Sequence, residues 1–174
     1  MSIGILIMRV VIGLLFVGHG CQKLFGWFEG GGIEGTSRMF GSLGYHPPRA
    51  MAILGGVGEA GGGLLLTLGM LTPFGCAAII GMMVNAIGAV HKKNGLWVSK
   101  GGSEYPLVLI AVTTGIAFAG AGRYSIDGVF TLGLNGFYWG VLAFLLGFAG
   151  GVVVLSIRNP RVVREREEQE PRAA

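Results

Sequence analysis

Charge is what this sequence has least of: 13% of its 174 residues are Asp, Glu, Lys or Arg, about half the usual quarter. Hydrophobic residues make up 52%, and the few charges fall in clusters between long apolar runs. That pattern excludes a soluble globular domain and indicates a polytopic membrane protein. Cysteine is nearly absent too. Cys21 and Cys76 stand without a Cys-x-x-Cys pair or a metal-ligand spacing, so thiol-disulfide and zinc chemistry are not indicated. His46, Met82 and Met83 lack a second ligand at a recognisable spacing, and no metal is assigned. No Lys or Arg precedes the first apolar run and no small-x-small cleavage site follows it, so that segment is expected to be retained and not removed as a secretory signal. Glycine is abundant, at 34 residues. It lies inside apolar runs without a Gly-X-Y period, which excludes collagen and points to close helix contact. The net charge of +4 comes from basic residues at the ends of apolar segments, not interleaved with exposed aromatics, so no nucleic-acid partner is expected.

Five apolar stretches are visible, at about 3–24, 50–71, 73–90, 105–121 and 136–157, each near the roughly 20 residues a helical crossing needs. The expected fold is an all-α membrane protein: a four-helix transmembrane bundle core plus a fifth, C-terminal transmembrane helix. Residues 1–158 form one polytopic domain, and 159–174 form a charged cytoplasmic tail. Gly69 and Pro73 punctuate a tight helical hairpin between the second and third stretches. Between the first two, Thr36 to Leu43 predicts a short interfacial helix. Trp27, Trp97 and Trp139 fall near helix ends, where indole rings sit at the headgroup level. Gly58-x-x-x-Gly62 and Gly147-x-x-x-Gly151 permit close helix contact.

Lys and Arg set an expected orientation. Five crossings with a cytoplasmic tail place Lys23, Arg38, Arg49, Lys92, Lys93, Lys100 and the five arginines from Arg158 onward inside, eleven of thirteen basic residues. The N-terminus then faces outward.

Ionised side chains cost at least ~2.5 kcal/mol near the bilayer centre, so those found there have partners and often functions. Arg9 and Glu59 are two such residues, and their expected depths allow an Arg9–Glu59 ion pair. Arg9, Phe16, His19 and Lys23 share one helical face. His91 and Asn85 on the third stretch and Glu104 at the start of the fourth lie on the same membrane side as His19 and Lys23. These groups either satisfy one another as packing contacts or line a ligand site; the wider set points to a ligand site.

The same residues carry a family likeness. Leu6-Ile7-Met8-Arg9, Phe16-Val17-Gly18-His19-Gly20-Cys21-Gln22-Lys23, Gly58-Glu59, Leu68-Gly69-Met70-Leu71-Thr72-Pro73, Glu104-Tyr105-Pro106 and Gly122-Arg123-Tyr124-Ser125-Ile126-Asp127 resemble the DoxX family of small bacterial and archaeal membrane proteins. The likeness covers about residues 3–128 and implies a four-helix core, with Arg9, His19, Lys23, Glu59 and Glu104 on characteristic positions. It also implies a role beside redox systems: a membrane subunit binding a quinone or a small sulfur or thiol species in a polar intramembrane site formed by Arg9, His19, Lys23, Glu59, Asn85, His91 and Glu104. No covalent cofactor is expected, and whether the chain is itself an enzyme stays open. The expected partners are the lipid bilayer, a quinone, a soluble sulfurtransferase or other redox protein, and further copies of the chain as a homo-oligomer. The alternative is a non-enzymatic membrane scaffold or transport component that recruits a soluble redox partner.

Overall fold

Each of the five apolar stretches forms a helix in the computed structural model, which describes residues 2–159 and 161–163. Most of the expected charged tail lies outside the described residues. The elements are α1 (Ser2–Phe25), α2 (Gly32–Ser42), α3 (Pro48–Leu68), α4 (Thr72–Ala86), α5 (Glu104–Ala119), the single turn α6 (Ile126–Val129) and α7 (Phe137–Ser156). A π-helical turn, Ile87–His91, continues α4, followed by a 3-10 turn at Lys92–Asn94. Among the described residues, four helices are long and apolar enough to cross a membrane: Ser2–Phe25, Pro48–Leu68, Thr72–Asn94 and Phe137–Ser156. The chain is therefore an all-α membrane bundle in which the C-terminal stretch is one of the long helices. The short one is α5, whose 16 residues rise about 24 Å. The interfacial helix begins four residues earlier than Thr36, at Gly32, and lies against α1 and α3.

Glycine sets the helix spacing. A Cβ on Gly13 would stand 2.6 Å from the Gly63 carbonyl oxygen, and one on Gly20 would stand 2.5 Å from the Ala60 nitrogen, so α1 and α3 meet backbone to backbone. Gly62 faces Ala78 across the α3–α4 hairpin. On the far side of α4, Gly147 and Gly151 lie against Ala77 and the Gly81 carbonyl, and only Gly140, Ala143, Gly147 and Gly151 of α7 are buried. Both Gly-x-x-x-Gly spacings are thus spent on contacts within the chain. Phe16, Leu66, Ile79, Leu109 and Ile116 fill the core between the helices. Ile3, Ile7, Val11, Leu14 and Leu15 of α1 turn outward, as lipid-facing residues do when the surrounding solvent is hydrocarbon.

Gly69 ends α3 in the left-handed conformation, its N–H returning to Leu65 and Leu66 carbonyls, and Pro73 stands in the first turn of α4. Leu71 is also left-handed, at φ 48°, an uncommon backbone for a residue with a Cβ. It is fixed there by Asp127, whose carboxylate accepts from the Leu71 N–H at 2.8 Å, the Thr72 N–H at 2.9 Å and the Thr72 hydroxyl at 2.7 Å. Asp127 therefore serves α4 as an N-terminal cap from a distant turn. This hairpin lies at one end of the bundle. Lys23, His91 and Arg158 lie at the other, where Arg158 donates to the Leu43 carbonyl and, at 3.4 Å, to that of Gly88. The latter is called the basic end below.

Candidate functional site

The backbone contact between α1 and α3 brings the last turn of α1 against the middle of α3. Lys23 reaches across and donates to Glu59 Oε1 in an ion pair. The Glu59 side chain is 7% exposed and that of Lys23 26%, so the carboxylate residue is buried while Lys23 is partly exposed. Glu59 Oε2 is buried and accepts no hydrogen bond among the described residues. One turn before Lys23, His19 Nδ1 lies 3.0 Å from Gln22 Oε1, and the Gln22 amide nitrogen donates to the Phe28 carbonyl at 3.2 Å. With its NH2 on that carbonyl, Gln22 presents only its oxygen to His19, so His19 Nδ1 carries the proton.

His91 comes from the π-helical turn. Its Nδ1 lies 2.7 Å from the Gly101 carbonyl oxygen, which only accepts, so His91 also holds its proton on Nδ1. The two rings, Lys23 and Glu59 line one open-mouthed cavity of about 170 Å³, bordered also by Phe16, Met83, Tyr105 and Leu109 among others. Two imidazoles whose Nε2 atoms have no hydrogen-bond partner among the described residues, a half-satisfied carboxylate and an ammonium thus border a space large enough for a small molecule or several waters. Such a set can accept, hold and pass protons.

Three of the seven residues singled out in the sequence lie elsewhere. Arg9 does not pair with Glu59. It is fully buried near the opposite end, donating to the carbonyls of Leu66 at 3.3 Å, Thr67 at 3.4 Å and Tyr124 at 2.7 Å, and Asp127 is the carboxylate that attracts it. The last carbonyls of α3 have no partners within the helix and carry its negative dipole end, so they satisfy a guanidinium without a carboxylate two turns deeper. Glu59, left to the other end of the same α1 face, takes Lys23. Asn85 faces away from the cavity across α4, into a lipid-side groove of about 380 Å³ shared with α3 and α7, and its Oδ1 accepts from the Tyr45 hydroxyl at 2.9 Å. Glu104 sits at the start of α5 and accepts from the Val98 N–H at 2.9 Å; it braces the loop before α5 while its neighbours Tyr105 and Pro106 reach the cavity. Among the described residues no group of three His, Cys, Asp or Glu side chains comes together as a metal site.

A family model described as DoxX matches residues 4–92, the stretch that contains His19, Lys23, Glu59 and His91 of the cavity. The chain belongs to the DoxX family. A relative of Bacillus subtilis (strain 168), named "Putative oxidoreductase CatD", is 30% identical over 128 residues, which is 72% of this chain and 86% of the relative. No solved structure matches the chain. Within this DoxX protein the sequence motifs divide by end of the bundle. Leu68 to Pro73 and Gly122 to Asp127, separated by some fifty residues, meet around Arg9 as a structural clasp, with Asp127 N–H donating to the Gly69 carbonyl at 2.8 Å. The His19 to Lys23 segment, Glu59 and His91 meet at the basic end as the cavity. Tyr105 and Gln22 were not singled out in the sequence. The signal for them was the family likeness itself, since Gln22 stands in the His19–Lys23 motif and Tyr105 in Glu104-Tyr105-Pro106.

Proposed function

We propose that this DoxX protein is the membrane subunit of a redox system and that the basic-end cavity binds its small redox-active ligand, a quinone or a small sulfur or thiol species. The observation that carries this reading is Glu59 Oε2, a buried carboxylate oxygen without a hydrogen-bond partner among the described residues, on a side chain that lines a cavity together with His19 and His91. A buried acceptor left unsatisfied is costly, and burial of that kind beside proton-exchanging groups is characteristic of functional sites. A purely structural Lys–Glu pair has no need of two tautomerically fixed histidines. The relative's name as an oxidoreductase supports a redox association. None of these side chains is an electron carrier, so electrons pass directly between the ligand and a soluble redox partner or a second small molecule. The chain's part is to bind, orient and exchange protons. In the same reading the basic end faces the cytoplasm of a bacterial or archaeal cell, following the Lys and Arg distribution.

The test is native mass spectrometry of protein released in a gentle detergent, followed by the same measurement on His19→Ala and Glu59→Gln variants. Wild type is expected to retain a quinone or a sulfur compound that both variants lose while staying folded. Equal ligand content in all three, or none in any after supplying quinones and thiols, would remove the binding site and leave a scaffold that only recruits partners.

A further inference from the structure

We infer that the cavity selects the reduced, protonated member of a redox pair, a neutral molecule with O–H or S–H donors, over its oxidised member, which can only accept hydrogen bonds. This rests on the proposed function and follows from a donor and acceptor inventory of the cavity wall. Glu59 Oε1 is taken by Lys23, and Oε2 is buried with nothing donating to it. His19 Nδ1 is committed to Gln22 and His91 Nδ1 to the Gly101 carbonyl. Each neutral ring therefore has a bare Nε2 lone pair as its remaining polar atom. Three acceptors from three helical segments are left: Glu59 Oε2, which is buried, the Nε2 of half-buried His91, and the Nε2 of exposed His19, which water also reaches. The donors are fewer and less demanding: Lys23 is already paired and partly exposed, and the Tyr105 phenol lies on an exposed residue, so water can serve both.

A quinol or thiol can give protons to these acceptors and still receive from Lys23 or Tyr105. A quinone or disulfide meets only the donors. It brings no hydrogen to Glu59 Oε2, which stays buried and unpaired. Sites built around a hydrogen bond discriminate most strongly against the analogue that lacks the complementary group. The same geometry gives the donated protons a place to go, since each Nε2 can take one while Nδ1–H holds its carbonyl or amide oxygen.

The experiment is calorimetric titration of the full chain in detergent at about pH 8, where imidazoles are ordinarily neutral, with two matched pairs. One pair is a short-chain benzoquinol and its quinone; the other is dithiothreitol and its cyclic disulfide. In the pair the protein recognises, the reduced member should bind at least roughly tenfold more tightly. Glu59→Gln, which puts an amide among the acceptors, should erase that ratio. His91→Phe, which leaves the Lys23–Glu59 pair in place, should shrink it by weakening the reduced member alone. Equal or tighter binding of the oxidised member would overturn this inference while keeping the proposed function. Binding of none of the four probes would overturn both.

Discussion

Lys23 on the last turn of α1 is ion-paired with Glu59 in the middle of α3, while Arg9, on the same face of α1, is held by the carbonyls at the end of α3. One helix thus carries two cations that meet different parts of one neighbour, one anchoring a cavity and the other closing a clasp.

Removing Lys23 leaves Glu59 buried without a counter-charge. Lys23→Met is expected to destabilise the protein by about 3 kcal/mol, the lower end for breaking a buried pair because Lys23 is partly exposed. Lys23→Met combined with Glu59→Gln should recover most of that loss. Thermal unfolding of the single and double variants in one detergent checks it, and a double variant no better than Lys23→Met would contradict the pairing.

Arg9 and Glu59 should behave as independent sites. Arg9→Met removes the guanidinium from three carbonyls, of which Leu66 keeps the Gly69 N–H, and is expected to cost about 2–4 kcal/mol, and Arg9→Lys should rescue little, since one ammonium cannot fork to carbonyls on both α3 and the turn before α6. The effects of Arg9→Met and Glu59→Gln should add to within about 0.5 kcal/mol. Coupling well beyond that in a double-mutant cycle would bring back the direct ion pair.

These two residues also mark where sequence reading stops. The helices, the Gly69–Pro73 hairpin and the gathering of His19, Lys23, Glu59 and His91 were legible, because apolar length, turn residues and helical periodicity are local properties. The partner of Arg9 was not. Depth within a bilayer read from span ends is uncertain by a turn or two, and an arginine spans that much. Which carbonyls a helix leaves free also depends on where its neighbour ends. Asn85 and Glu104 were expected on the same side as His19 and Lys23, yet rotation about α4 decides which cavity an asparagine faces. The loop fold before α5, in turn, decides what a carboxylate can reach.

Asp127 holds the start of α4 through three hydrogen bonds. Asp127→Ala should cost about 2 kcal/mol, the upper range for loss of an N-terminal cap, and should raise proteolysis of the α3–α4 turn. Asp127→Asn should cost less, because one amide oxygen still accepts. Equal losses for both variants would place the effect in charge and not in capping.

Tyr45, outside the spans, is buried, and that burial pushes its phenol up against the opposing attraction of Arg158. A phenol raised in the folded state contributes stability that is full below its unfolded value of about 10 and is lost as pH rises through the folded value. Alkaline absorbance titration should show one tyrosine ionising after the others, together with loss of helicity. In Tyr45→Phe that late step should vanish, at a stability cost of about 1–2 kcal/mol from the unpaired Asn85 oxygen.

Reporter fusions test the orientation. A reporter after Ala174 is expected in the cytoplasm and a tag before Met1 outside, following eleven of thirteen basic residues. Both ends on one side of the membrane would refute five crossings.

The π-helical turn at Ile87–His91 makes the aim of His91 a matter of residue count. A wider turn of this kind holds one residue more than an α-helical turn at that place. Were the same residues wound as ordinary α-helix, in which each residue advances the direction by about 100°, the extra residue would turn His91 by about that angle and the imidazole would swing off the cavity wall. Removing one residue between Ile87 and Val90 would instead let the turn close as α-helix with the imidazole still aimed where it is. A single-codon deletion there would then spare the aim of His91, and an insertion of one residue would not.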